Sequence, residues 1–117
     1  MINLQNIDRN DLTICAPSTA QGGAIGVIRV SGAKAFDIVD GIFSPVSKKH
    51  LEDIPAGTFS FGRITDKSGE LIDEVIVSIF HAPHSYTGEN VVEISCHGSS
   101  YILNKVLELL LQGGCTM

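Results

Sequence analysis

Residues 13–17, 24–31, 57–65, 71–80 and 90–97 are each rich in Ile, Val, Phe or Thr and bounded by Gly, Pro, Asp or Ser. Each reads as a β-strand. Elsewhere the apolar period lengthens. Ala35, Ile38, Val39 and Ile42 recur at helical spacing, as do Leu103, Val106, Leu107, Leu110 and Leu111. Ser31 and Ser99 or Ser100 are placed to cap the two helix starts, and Gly113-Gly114 to stop the second helix. Asp66-Lys67-Ser68-Gly69-Glu70, between two strands, reads as a hairpin connection. The order β-β-α-β-β-β-α predicts an α+β fold, a mixed sheet of about five strands with two helices on one face. A Gly-rich tether at 18–23 lets the first strand exchange between protomers at low cost, so a swapped strand in a dimer fits the pattern.

Within the second strand one charge interrupts the apolar pattern. Alternate strand residues share a face, so Arg29 lies in line with Ile25 and Val27. Neither face of 24–30 is polar enough to be an ordinary solvent face. The guanidinium needs an anion, either a carboxylate of this chain or a bound ligand, because an unpaired buried charge is very costly. The strand at 90–97 carries the complementary oddity. Glu93, Ser95 and His97 share one face, while Val92, Ile94 and Cys96 form the apolar face, where Cys96 reads as a small core residue. An embedded arginine and an embedded glutamate point to a small-molecule site or to a buried ion pair. The preceding loop, Pro83-His84-Ser85-Tyr86-Thr87-Gly88, offers a ring that can stack and hydroxyls that can hydrogen-bond. A carboxylate accepting two parallel N–H bonds reads a guanidine-like edge, such as that of a pterin or guanine.

With 117 residues the chain is expected to form one domain, residues 1–117, burying roughly two-thirds of its extended surface. Its apolar fraction of 44% and mean hydropathy of +0.23 are high for that size, which reserves some apolar surface for a partner. The net charge of -5 argues against gripping a phosphate backbone alone. Lys48-Lys49-His50 reads as a solvated loop. Cys15, Cys96 and Cys115 are widely spaced and odd in number, and residues 1–6 lack a signal-peptide pattern. The expectation is a cytoplasmic protein with reduced thiols and no membrane span.

Other motifs point to no chemistry. The glycines of Gln21-Gly22-Gly23-Ala24-Ile25-Gly26 precede a strand, whereas a phosphate-cradling loop follows a strand and opens a helix. His81, His84 and His97 lack the second ligand pair a structural zinc needs, and Pro83 makes 81–84 a turn that exposes both imidazoles. Cys96 and His97 are adjacent on a strand and diverge, so they do not form a nucleophile–base pair. No catalytic residue and no metal ligand is assigned.

Three segments together carry a resemblance. Ala20-Gln21-Gly22-Gly23-Ala24-Ile25-Gly26-Val27-Ile28-Arg29-Val30-Ser31-Gly32, then Pro83-His84-Ser85-Tyr86-Thr87-Gly88-Glu89, then Glu93-Ile94-Ser95-Cys96-His97-Gly98 are similar to the N-terminal domain of the MnmE/TrmE family of tRNA-modification GTPases. The likeness runs from about Asp11 to Cys115. It implies a fold like the folate-binding domains of one-carbon enzymes, and a domain that binds a tetrahydrofolate derivative (5-formyl- or 5,10-methylene-tetrahydrofolate) and drives homodimerisation. The folate-contacting arginine and glutamate of the family fall on Arg29 and Glu93. The family's proteins continue through a further folate-contacting lysine into helical and GTPase domains, which use GTP, Mg2+ and K+. On this likeness the chain is a fragment. With an FAD-dependent partner of the MnmG/GidA type, such proteins modify the wobble uridine of tRNA with a one-carbon unit. Asn90, where an acidic residue is common, and Ser99, where a glycine is common, depart from the family pattern.

Two rival readings stand beside it. In one, the chain is a ligand-free dimer scaffold in which Arg29 pairs with Glu93 or Asp73. In the other, it is a stand-alone folate-dependent one-carbon transferase, for which His97 is the one candidate base.

Overall fold

Among the described residues, alternation along the chain resolves into one antiparallel sheet of six strands. They are β1 (Ile14–Pro17), β2 (Ile25–Ser31), β3 (Phe43–Pro45), β4 (Phe59–Thr65), β5 (Leu71–Phe80) and β6 (Val91–His97). Two helices, α1 (Ala35–Asp40) and α2 (Ser100–Gln112), complete an α+β fold, with a 3-10 turn at Leu51–Asp53. The computed structural model describes residues 12–18, 24–85 and 87–117.

The spatial order is β1-β2-β6-β5-β4-β3. Every neighbouring pair is antiparallel. The expected mixed sheet is therefore corrected to an antiparallel one. Its parallel contact is the isolated bridge between Ile14 and Thr116 at the outer edge of β1. The strand count rises from five to six because Phe43–Pro45 pairs with β4, a segment too short and Pro-bounded to show as a periodic run. The first strand pairs with β2 of its own chain, Cys15 opposite Val30 and Ala16 opposite Arg29. Most of its Gly-rich tether, residues 19–23, lies outside the described residues.

Among the described residues, one sheet face is covered and the other is not. Ile28 and Val30 of β2, Val92, Ile94 and Cys96 of β6, Val75, Val77 and Ile79 of β5, and Ile64 of β4 are buried in one cluster with both helices. From α1 come Phe36, Ile38 and Val39, and from α2 come Leu103, Val106, Leu107 and Leu110. Each fully buried aliphatic side chain contributes about 1.5–3 kcal/mol, so this face supplies most of the driving force for folding. At Gly26 the backbone of β2 lies against α2, and an added Cβ would stand 2.6 Å from Leu103 Cδ2. No helix among the described residues is long and apolar enough to cross a membrane.

The helix ends follow the sequence in part. The Ser99 hydroxyl accepts from the Ile102 N–H at 3.1 Å and caps α2, satisfying one of the donors that a helix start leaves open. Ser31 does not cap α1. It ends β2 and turns its hydroxyl to the loop before β6, while Thr13 Oγ1 accepts from the Lys34 N–H at the start of α1. Asp66 organises the β4–β5 hairpin: its Oδ1 accepts from the backbone N–H groups of Ser68 and Glu70, with Gly69 at φ 87°. The Ser68 hydroxyl, which donates to the same oxygen at 2.6 Å, and then the Glu70 N–H hold its carboxyl below the usual range.

Candidate functional site

The uncovered face is a lattice whose rows follow from strand register. One row runs Ala16, Arg29, Glu93, Ser78, Phe59 across β1, β2, β6, β5 and β4. The next runs Val27, Ser95, Ile76, Phe61. A third begins with Ile25 opposite His97, and on β5 and β4 the corresponding positions are Glu74 and Arg63. Rows are about 7 Å apart, two strand residues. Ile25, Phe59, Phe61 and Ile76 are exposed here, although they belong to strands whose alternate residues are core.

The two sequence-predicted site residues meet in the first row. Arg29 Nη2 and Nε donate to Glu93 Oε1 at 3.1 and 3.3 Å. Their side chains are 38% and 21% exposed, so the pair lies on the open face rather than in the core. Both contacts fall on Oε1, and Oε2 makes no hydrogen bond among the described residues. Of the partners weighed for Arg29, Glu93 is the one it meets. Asp73 cannot serve, because it shares the covered face with Val75 and Val77.

Beyond this pair the face turns polar and acidic. Ser31 Oγ lies 2.8 Å from Thr87 Oγ1 and donates to Glu89 Oε2 at 3.2 Å. Ser85 Oγ donates to the Glu89 carbonyl, and Asn90 Oδ1 accepts from the Ala82 N–H at 2.9 Å. Asn90 thus makes, through its amide oxygen, the contact that a carboxylate there could also make. Tyr86, like Gln21, Gly22 and Gly23, lies outside the described residues. His84 is exposed as expected, whereas His81 is not. Its ring packs 5.0 Å from Phe36, and Nε2 is 2.8 Å from the Ile54 carbonyl, so it closes the end of the core.

At the opposite end of the face lies an arrangement not anticipated as a unit. Asp73, 9% exposed in its side chain, accepts from His97 Nδ1 at 2.7 Å, from the His97 N–H at 2.8 Å and from the Glu74 N–H at 2.9 Å. A carboxylate accepts, so Nδ1 carries the proton and Nε2 is the ring atom left to a ligand. His97 itself is 73% exposed. The available signal was parity: Asp73, Val75, Val77 and Ile79 share one face, and an aspartate on an otherwise aliphatic face announces a buried acceptor. Beside His97 is a shallow groove of about 260 Å³ with Ile25, Phe61 and Ile76 as its apolar lining and Ser95 at its side.

The cysteines carry no reactive thiol. Burial pushes Cys96 up to about 11, with the Asp73 carboxylate adding to the shift, and its Sγ faces the Gly26 carbonyl at 3.6 Å. Burial also pushes Cys115 up to about 12, helped by its neighbour Cys15, whose own thiol is raised by burial. A thiol held protonated is a poor nucleophile.

Comparison with known proteins agrees with the motif reading. The family model described as "GTP-binding protein TrmE N-terminus" matches residues 13–117. The chain is 58% identical over 109 residues to the tRNA modification GTPase MnmE of Bacteroides fragilis, covering 92% of this chain and 23% of that protein. For the protein of the same name from Carboxydothermus hydrogenoformans the identity is 49% over 104 residues, 87% of this chain and 23% of the relative. For that of Flavobacterium johnsoniae it is 45% over 117 residues, 100% and 24%. The chain therefore spans about a quarter of the length of these relatives. It belongs to the TrmE N-terminal family of the MnmE tRNA-modification GTPases.

Proposed function

We propose that this chain is the tetrahydrofolate-binding and homodimerisation domain of a GTPase that acts in tRNA modification. The observation that carries the reading is the Arg29–Glu93 pair on an uncovered sheet face. Glu93 offers two carboxylate oxygens to the amidine-like edge of a reduced pterin, and Arg29 orients that carboxylate and engages a carbonyl or carboxylate of the ligand. The exposed Ile14, Ile25 and Phe59 on the same face support association with a second copy. In the longer protein, GTP, Mg2+ and K+ would be handled by other domains. An FAD-dependent partner of the MnmG/GidA type and tRNA would complete the reaction at the wobble uridine, in the cytoplasm. The acidic net charge of this chain fits tRNA being held elsewhere.

The test is isothermal titration of 5-formyl-tetrahydrofolate into the chain, wild type beside Glu93→Ala and Arg29→Ala. Saturable binding, lost or weakened at least tenfold in both variants, is the expected result. Equal affinity in wild type and variants would remove both residues from the site. One observation favours a second reading, the ligand-free scaffold: Arg29 and Glu93 already satisfy each other in part. On that reading the wild type binds no folate, and Glu93→Ala shifts only the dimer equilibrium.

A further inference from the structure

Two of the three cysteines stand together, although one lies near each end of the sequence. Cys15 is the second residue of β1, and Cys115 follows the Gly113-Gly114 stop of α2. Their neighbours hold the two segments side by side. Thr116 donates its N–H to the Thr13 carbonyl at 2.8 Å, and its own carbonyl accepts from the Cys15 N–H at 3.0 Å. These bonds form the parallel bridge between Ile14 and Thr116. Ile14 and Thr116 are exposed, so alternation turns Cys15 and Cys115 to the covered face. There both thiols are buried in the core, 0% and 7% exposed, and they hydrogen-bond each other. Cys96 faces the Gly26 carbonyl instead. Among the described residues no group of three or more His, Cys, Asp or Glu side chains gathers as a metal cluster, which leaves the pair to dithiol chemistry.

We infer that Cys15 and Cys115 are a reversible dithiol–disulfide site that, when oxidised, ties residues 115–117 to the first strand. While that segment is docked, both thiols are protonated and shielded, and neither reacts. The segment is held to β1 by the two main-chain bonds of Thr116, far fewer than join any two long strands of the sheet, so it opens more readily than the sheet does. Opened, Cys115 meets water and its thiolate attacks one sulfur of a low-molecular-weight disulfide such as oxidised glutathione. A mixed disulfide forms and one glutathione thiolate leaves. On redocking, the Cys15 sulfur attacks the Cys115 sulfur, the internal S–S bond forms, and the second glutathione leaves. The two cysteine protons end on the two glutathiones: the protein dithiol is oxidised by two electrons and one glutathione disulfide is reduced to two thiols. The bond closes a loop spanning nearly the whole chain, the case in which a cross-link removes most freedom from the unfolded state. It also pins the strand beside Arg29, because Ala16, next to Cys15, stands opposite Arg29. Oxidation therefore stiffens the margin of the candidate site without touching its side chains.

Trypsin separates the three cysteines, placing Cys15 in residues 10–29, Cys96 in 68–105 and Cys115 in 106–117. The test incubates the reduced chain with oxidised glutathione, quenches it with iodoacetamide, digests it without reductant and reads the peptides by mass spectrometry. The expected product joins 10–29 to 106–117 within one chain, while 68–105 carries the alkyl group. Its melting temperature should rise by about 10 °C and return to the reduced value with dithiothreitol. Cys15→Ala should stop at a glutathione adduct on Cys115 and show no such rise. Thr116→Pro removes the N–H that Thr13 accepts, so iodoacetamide should label Cys115 roughly fivefold faster in the reduced variant and Cys96 at its former rate. If the wild type does not react, stops at the glutathione adduct, cross-links through Cys96 or between two chains, or melts no higher once oxidised, the inference falls. An unaltered labelling rate in Thr116→Pro would overturn the opening step on which it depends.

Discussion

Replacing Asp73 by alanine tests whether a buried carboxylate is kept for its backbone contacts or for its histidine. Asp73 is 8% exposed and accepts three N–H groups, two of them main-chain, at 2.7–2.9 Å. Asp73→Ala leaves the Glu74 and His97 amides without an acceptor at a half-buried strand end, a cost of about 1–2 kcal/mol each. Relief of the carboxylate's own desolvation offsets part of this, for a net loss of about 2–3 kcal/mol. The imidazole bond contributes less because His97 is 73% exposed and solvent competes for it. Its share, read as the Asp73/His97 coupling in a double-mutant cycle, should be about 0.5–1 kcal/mol. Urea unfolding followed by far-UV circular dichroism resolves these figures against a total stability of about 5–15 kcal/mol. A coupling as large as the whole Asp73→Ala loss would refute the reasoning and make the side-chain pair the reason the carboxylate is there. A loss below about 1 kcal/mol would show that both amides reach water.

Gly26→Ala should cost about 1–3 kcal/mol, because its Cβ would stand 2.6 Å from Leu103 Cδ2 and α2 must move off β2; a lower urea midpoint with an unchanged slope is the expected result. Ser99→Ala should cost about 1 kcal/mol and speed amide exchange in the first turn of α2, leaving the sheet amides as protected as before. Alkaline stability reports the thiols. The unfolded chain sheds their protons around the ordinary value of 9.0, whereas folded Cys96 and Cys115 hold theirs to about 11 and about 12. Their contribution is complete below pH 9 and is lost as pH rises through the folded values. The slope is about 1.4 kcal/mol per pH unit for each thiol. Cys96→Ala should flatten that limb of a pH-dependent unfolding curve, and an unaltered limb would mean the thiol titrates freely in the folded chain.

The parts of the fold legible in the sequence were those that a period announces. The alternation of 90–97 placed Val92, Ile94 and Cys96 inside, and the leucine stripe of α2 followed from helical spacing. What a period does not contain is register. That Arg29 stands opposite Glu93 depends on which residue of β2 faces which residue of β6, a choice made by the whole sheet. The same register carries Asp73 away from Arg29 and under His97. β3 escaped notice because three residues establish no period. Ser31 was misplaced for a related reason: local sequence offered it a helix to cap, and the loop at 87–89 offered its hydroxyl better partners.

The sheet's two margins are blunt. On one side β3 is three residues long and ends in Pro45. On the other, Thr116 already exchanges hydrogen bonds with Thr13 and Cys15 along the outside of β1, and Pro17 has no N–H to offer beyond them. An exposed row of unpaired amides is the usual template for runaway strand addition and fibre growth. Among the described residues, this fold withholds that template on both flanks while leaving a broad apolar face bare. It can therefore afford sticky side chains for recognition without inviting cross-β polymerisation.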